Sequence, residues 1–354
     1  MQPEAVCAQF ALPGPPTGLD PVTGGHIHAT YRVTCGEEAF ILQRINTRVF
    51  RDPARVMENI ARVCAHMQAR VRMRGGDPLR EALTLIPTRA GHPAWIAPDG
   101  EWWRVYRAIP GARAVESGDA ALLEQAAFAF GDFQTLLADL PAPRLHETLP
   151  GFHDTPARVE ALRRAAQQDS CGRGASAAAE LAFAWRRAAT AATVVDGLRS
   201  GRLPERIAHN DTKLNNVLMD ETSGRGLCVI DLDTVMPGSA LFDFGDLVRS
   251  AAAAAAEDDP AHMRFDLERF AALARGYLRG APGLAPAEKA LLAFAPRLIT
   301  YEQGVRFLTD DLNGDVYYPV HAPRHNLRRA QAQFALLEGM ERESAAMEEI
   351  VQRL

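Results

Sequence analysis

One stretch of this chain reads as a β-hairpin set among helices. Asn215 to Asp220 and Leu227 to Asp233 are strand-like runs, separated by Glu221-Thr222-Ser223-Gly224-Arg225-Gly226, a loop carrying glycine. Directly before the first run stands His209-Asn210-Asp211-Thr212-Lys213-Leu214, and the second run ends in Ile230-Asp231-Leu232-Asp233. A hairpin brings its two ends together, so any fold of this chain must return Asp231 close to Asn216. Polar groups gathered by a lone hairpin within helical surroundings call for an α+β architecture.

The rest of the pattern agrees. Ala29 to Thr34 and Ala39 to Ile45 are β-prone, with a turn at Cys35-Gly36-Glu37-Glu38. Asp52-Pro53 is a helix start, and Val56, Ile60, Val63, Met67 and Val71 fall on one helical face before Gly75-Gly76. Ala82 to Thr88 reads as a strand, and Trp95-Ile96-Ala97 with Trp102 to Ile109 forms a second hairpin around Pro98-Asp99-Gly100. Helical spacing then dominates: Leu122, Ala126, Phe130, Phe133 and Leu137 share a face, and alanine-rich helices run from about Pro156 to Leu198. The run Ala251 to Ala256 reads as the end of a helix before the acidic loop at Glu257. The prediction is a small β-rich N-terminal lobe over residues 1–108 and a large, mainly helical lobe over 109–354.

A net charge of −5 argues against a general nucleic-acid binder. The five cysteines are scattered without a CxxC pair, which argues against a disulfide framework or a zinc site and fits a reducing cytoplasm. Met1 to Pro16 lacks the basic start and apolar run of a secretory signal. The expectation is a cytoplasmic chain with no membrane, nucleic-acid or obligate protein partner.

H-x-D-x-K-x-x-N followed by I-D matches what phosphoryl transfer needs: a carboxylate to orient a hydroxyl, oxygen ligands for Mg²⁺, and a cation near the γ-phosphate. Asp211 is the expected base, Lys213 the phosphate contact, and Asn216 with Asp231 the metal ligands. His209 is expected to fix the loop through its ring. Asp233 is either a second metal ligand or, as we favour, a hydrogen-bonded carboxylate at the strand end. Asp243 is read as a brace for the loop or a cap for a helix beginning near Asp246, ahead of a catalytic role. The plan is that of a two-lobed, protein-kinase-like fold. Thr23-Gly24-Gly25-His26 stands where a glycine loop would cover the phosphates of ATP. Small-lobe lysine is missing, so Gln43 or Arg44 must substitute, with Glu58 as a partner for whichever points inward. Tyr106 lies in the expected hinge, Val105 to Ala108.

These residues resemble the aminoglycoside phosphotransferase/choline kinase superfamily, whose H-x-D-x-x-x-x-N and I-D-x(n)-G-x-x-x-x-D patterns match His209 to Asn216 and Ile230 to Asp243, with Gly238 between. Ile41 to Asn46, Met57 to Ile60, Val229 to Gly238 and Arg306 to Asp315 with Tyr317 are similar to the N-acetylhexosamine 1-kinase branch. The branch usually shows Asn where this chain has His28. The resemblance spans about Gly24 to Glu341. It implies ATP and Mg²⁺ as cofactors, a sugar 1-phosphate as product, and Arg306, Tyr317 and Asp310 as acceptor contacts. Two other readings stay open: a kinase for choline, an aminoglycoside or another sugar, and an inactive nucleotide-binding protein on the same fold.

Overall fold

The computed structural model describes residues 2–22, 27–141 and 143–354. The fold is α+β, with an antiparallel sheet in one compact unit and mostly helices in the other. The first unit comprises Met1–Ala114, Leu136–Pro150 and Asn216–Pro237; the second comprises Val115–Thr135, Gly151–Asn215 and Gly238–Leu354.

The first unit is built on β1 (Gly18–Pro21), β2 (Ala29–Cys35), β3 (Glu38–Arg44), β4 (Leu85–Ile86), β5 (Trp95–Ile96) and β6 (Trp102–Arg107), in the order β1-β2-β3-β6-β4 with β5 also on β6. A tight turn joins β2 to β3: Cys35 pairs with Glu38, and Gly36 takes a φ of 63°, a left-handed value that glycine adopts without strain. Alternation places Val33, Phe40, Leu42, Trp103 and Val105 on one face, where they form a core with Val6 and Phe10. Helix Pro53–Met73 starts as expected, with the Asp52 carboxylate accepting from the Arg55 N–H. The strand predicted over Ala82 to Thr88 shrinks to Leu85–Ile86. Asp77-Pro78 is a second cap-and-proline start, and the short helix Pro78–Glu81 that it opens takes up the chain leading into that segment. The late hairpin is present as Val217–Asp220 against Gly226–Val229, extended by β7 (Ala112–Ala114).

In the second unit, helices Thr155–Gln168, Ala178–Arg187, Ala295–Leu312 and His325–Arg342 enclose a core that includes Leu162, Ala184, Tyr301, Val305, Leu308 and Phe334. Two further expectations need correction. Helix Ala240–Ala251 begins well before Asp246, because Ser239 caps it by accepting from the Leu241 N–H; Asp243 lies in its first turn. The alanines after Ala251 leave the helix: Ala253 forms a β-bridge with Phe265, and the Asp266 N–H donates to the Ala252 carbonyl. Helical propensity is weak beside such tertiary pairing. Among the described residues no helix is long and apolar enough to cross a membrane.

Candidate active site

In the second unit the loop His209 to Lys213 is held from below by one carboxylate. Asp243 accepts from the backbone N–H of His209 at 3.0 Å, from that of Asn210 at 2.7 Å, and from the Gln134 amide. Its own carbonyl accepts the Thr212 hydroxyl. All of these groups are buried, so each lost bond would leave a polar atom without water. His209 Nδ1 accepts the Asp211 N–H at 3.3 Å, and its ring sits edge-on to Phe130 and Phe133. Asn210 takes a φ of 64°. The left-handed turn is tolerated by asparagine and aims the next residue. Gly238 has to be glycine: a Cβ there would stand 2.7 Å from Asn210 Oδ1 and 2.9 Å from the Ala208 Cβ.

Asp211 itself is partly exposed and pairs with Lys213 at 2.8 Å. Burial alone would raise its carboxyl, but Lys213, then His209 and Arg249, outweigh that and hold it below the usual carboxylate value. Lys213 is raised above its ordinary value, chiefly by Asp211, against the opposing effect of desolvation. Sequence reasoning missed the neighbouring pair Asp246 and Arg249, which meet at 2.8 Å, while Arg249 also reaches Glu257 at 3.2 Å. Their spacing of three on a helix was the available signal.

Also in this unit, Arg306 lies between two rings, its guanidinium carbon 5.3 Å from the Phe152 centroid and 5.8 Å from that of Tyr318. It donates to Gln303, which in turn bonds the Tyr318 hydroxyl. Tyr317 is 65% exposed. Asp310, expected as an acceptor contact, has both oxygens engaged: they take the N–H groups of Val316, Tyr317 and Tyr318 and the Asn326 amide. Asp311 is held by Arg324 and Asp315 by Arg173. The acidic D-D-x-N-G-D stretch is therefore a brace that presents Tyr317, and Asp310 has no open carboxylate to offer a hydroxyl.

In the first unit the register Val217↔Val229 and the bond from the Ile230 N–H to the Asn216 carbonyl at 2.9 Å set Asn216 beside the segment leading to Asp231. Asp231 has a φ of 60° at the start of the short turn Leu232–Thr234. Asp233 is 2% exposed and accepts both Nη groups of Arg104, at 2.7 and 2.6 Å. Burial would raise its carboxyl, but Arg104 and His28 drive it far below the usual range. The Arg104 pair favours the strand-end reading of Asp233 over a metal ligand.

That arginine is a buried cation that sequence reasoning missed. Register pairs Gln43 of β3 with Arg104 of β6, and Arg44 with Trp103. Gln43 thus shares the inner face, accepting from Arg104 Nε at 2.9 Å and donating to Thr30. Arg44 points the other way, over Trp103 and toward Glu101 at 3.6 Å. Glu58 pairs with His146 at 2.8 Å rather than with a strand cation. Tyr106 packs under Arg104, its ring centroid 5.3 Å from the guanidinium carbon. The Arg107 and Ala108 N–H groups donate to Thr84 and Ala39, so the expected hinge backbone is still committed to the sheet. Gly24, Gly25 and His26 lie outside the described residues.

His28, Asp231 and Asp233 place one potential ligand atom each within 4.8 Å of the others. His28 nevertheless turns a ring N–H rather than a lone pair toward this cluster. Its Nδ1 accepts the Asn46 N–H at 3.1 Å, which leaves the proton on Nε2, turned toward Asp233 at 3.3 Å. Asp233 is taken by Arg104, while Asp231 and Asn216 carry oxygen donors of the kind that suits a hard ion such as Mg²⁺ that retains water.

Known structures share this fold. An aminoglycoside phosphotransferase from Alicyclobacillus acidocaldarius aligns with a TM-score of 0.63 at 15% identity, covering 100% of this chain and 97% of that one. A spectinomycin phosphotransferase solved with ADP and spectinomycin gives 0.57 at 12%, covering 96% and 95%. A choline/ethanolamine kinase family protein from Mesorhizobium loti gives 0.54 at 18%, covering 99% of each. A profile of the phosphotransferase enzyme family matches residues 18–288. That match spans most of the sequence, both late motifs included, and the chain accordingly belongs to the phosphotransferase enzyme family.

Proposed function

We propose that the protein transfers the γ-phosphoryl group of ATP to the anomeric hydroxyl of an N-acetylhexosamine, N-acetylglucosamine or N-acetylgalactosamine, giving the sugar 1-phosphate and ADP. The observation that carries the reading is the Asp211 carboxylate, kept ionised by Lys213 at 2.8 Å on a loop whose backbone is anchored to Asp243. Asp211 aligns the acceptor hydroxyl and takes its proton as the new O–P bond forms and the bond to the ADP oxygen breaks. The anomeric hydroxyl is more acidic than an ordinary alcohol, so a carboxylate of low pKa is a sufficient base. Lys213 neutralises charge on the transferred group. Asn216 and Asp231 would hold Mg²⁺, which when bound supplies charge neutralisation on the phosphate oxygens. Arg104, buried and held by Asp233, is a fixed cation within the first unit. Fixed groups of this kind act by positioning and preorganised electrostatics.

Arg306 and Tyr317 are the proposed acceptor contacts. A cationic acceptor such as choline or an aminoglycoside calls for an open acidic pocket. Here Asp310, Asp311 and Asp315 are all bonded, and Arg306 brings positive charge. A neutral polyol with one apolar face fits a forked donor and exposed tyrosine better. The test is ATP consumption with Mg²⁺ over a panel of N-acetylhexosamines, free sugars, choline and aminoglycosides, with phosphorus NMR of the product. An anomeric phosphate from an N-acetylhexosamine is expected. Turnover only with choline or an aminoglycoside would overturn the acceptor assignment; ATP binding without turnover on any acceptor would overturn the kinase reading.

A further inference from the structure

His153 has no part in the chemistry described so far, yet its ring is fixed on both sides. Nδ1 lies 2.8 Å from Glu302 Oε1, and Nε2 lies 3.1 Å from the carbonyl oxygen of Asn210, the residue before Asp211. A carbonyl oxygen carries no hydrogen. Glu302 is held ionised: burial opposes this, but His153, Arg306 and the Thr155 hydroxyl, which donates to its other oxygen at 2.6 Å, all lower its carboxyl. Both ring nitrogens face acceptors, so both must carry protons. The side chains are 5% and 1% exposed, so both bonds lie in the interior. Phe152 and Phe242 flank the ring at 4.8 Å.

We propose that His153 is a positioning residue: its imidazolium, anchored by Glu302, clamps the Asn210 carbonyl and so sets the aim of Asp211. The peptide unit is then held from two directions, with the Asn210 N–H on Asp243 and its carbonyl on His153. When the ring loses a proton, one hydrogen remains for two acceptors. The carboxylate retains it, because a charged acceptor makes the stronger bond. The Nε2 lone pair then faces the Asn210 oxygen and the clamp opens.

Charged neighbours come from every element around the pair. Glu302 and Arg306 come from helix Ala295–Leu312, Asp246 from helix Ala240–Ala251, and Arg158 from helix Thr155–Gln168. Burial alone would lower the His153 value, but Glu302, the Asn210 carbonyl and Asp246 raise it above the ordinary one. The clamp is complete below the ordinary histidine range and is lost as pH rises through the raised value of the folded protein.

The inference rests on Asp211 being the base, and its test has an arm that does not. Nitrogen NMR of histidine-labelled protein, with His153 assigned by the His153→Gln spectrum, is expected to show both ring nitrogens protonated at neutral pH. A neutral ring there would overturn the proposal whether or not any acceptor is turned over. In the activity arm, kcat of the wild-type protein should fall on the alkaline side at the pH where the His153 signal titrates. Glu302→Gln should move both downward by about one pH unit or more, with KM for ATP unchanged. His153→Gln should remove that limb while lowering kcat. An alkaline limb that stays put when the NMR titration moves would overturn the positioning role. Absence of all turnover in the wild-type protein would count against the proposed function alone.

Discussion

Arg104 illustrates how a residue's burial fixes its consequence. Its guanidinium is 1% exposed and its two bonds to Asp233 span the interior of the sheet unit. Removing one partner of a buried ion pair leaves an uncompensated charge, and Arg104→Met is expected to cost ~3–5 kcal/mol. The double change Arg104→Met with Asp233→Leu should recover much of that loss in guanidinium denaturation; a double variant as unstable as the single one would show that the pair is not the source. Lys213 acts on pH dependence instead. The Asp211 value is lowered, so its charged form, and the stability that goes with it, persists above the ordinary carboxylate range and is lost only as pH falls through the folded value. Lys213→Met should move the acid limb of kcat upward in pH. A limb that does not move would show that Lys213 does not hold Asp211 ionised.

Residue type and spacing marked Asp211, Asn216 and Asp231 as candidates in sequence, because the H-x-D-x-K-x-x-N and I-D patterns are local. Arg104 and Asp233 are far apart in the chain and meet only through the β3–β6 register and the hairpin end, information that no local pattern holds. The alternation of Trp102, Arg104 and Tyr106 on one face of β6 was the single cue that an arginine pointed inward. Asp310 shows the converse: an acidic motif stood out, but its carboxylate serves the backbone of the following turn.

At the scale of elements, the helix start at Asp52-Pro53 was legible. Helix ends were less so, since the alanine run after Ala251 is diverted by a β-bridge that depends on Phe265. Close helix contact is encoded by small residues in a way that only the packed structure reveals. A Cβ on Gly276 would lie 2.1 Å from the Glu124 carbonyl oxygen, and one on Gly280 2.4 Å from that of Phe128. Helices Ala120–Leu137 and Leu267–Gly280 therefore touch backbone to backbone. Gly276→Val should destabilise by ~1–3 kcal/mol or more through overpacking, read as a lower thermal midpoint. An unchanged midpoint would mean that the two helices can separate at no cost. Gly238→Ala, which presses on Asn210, should reduce kcat by about tenfold to a hundredfold through displacement of the loop, with KM for ATP little changed; retained kcat would show that the loop tolerates the push.

For the whole molecule, the change from strand period to helix period placed the architecture correctly, because each lobe-like unit carries its own patterned core. The acceptor contacts we propose draw on groups from distant segments, Phe152, Arg306 and Tyr318 among them, and a choice of acceptor built that way follows from packing rather than motif. Fold likeness cannot supply it either, since related folds take different acceptors.

The central claim is that Asp211 is the base of a phosphoryl transfer. It is tested most directly by single-turnover phosphoryl transfer from ATP to N-acetylglucosamine or N-acetylgalactosamine in the wild-type and Asp211→Asn proteins, with circular dichroism and ATP affinity measured in parallel. The account predicts that Asp211→Asn keeps its fold and its ATP affinity while transfer falls at least about a hundredfold, the scale of general-base catalysis. Transfer at near wild-type rate by a folded Asp211→Asn protein would contradict it.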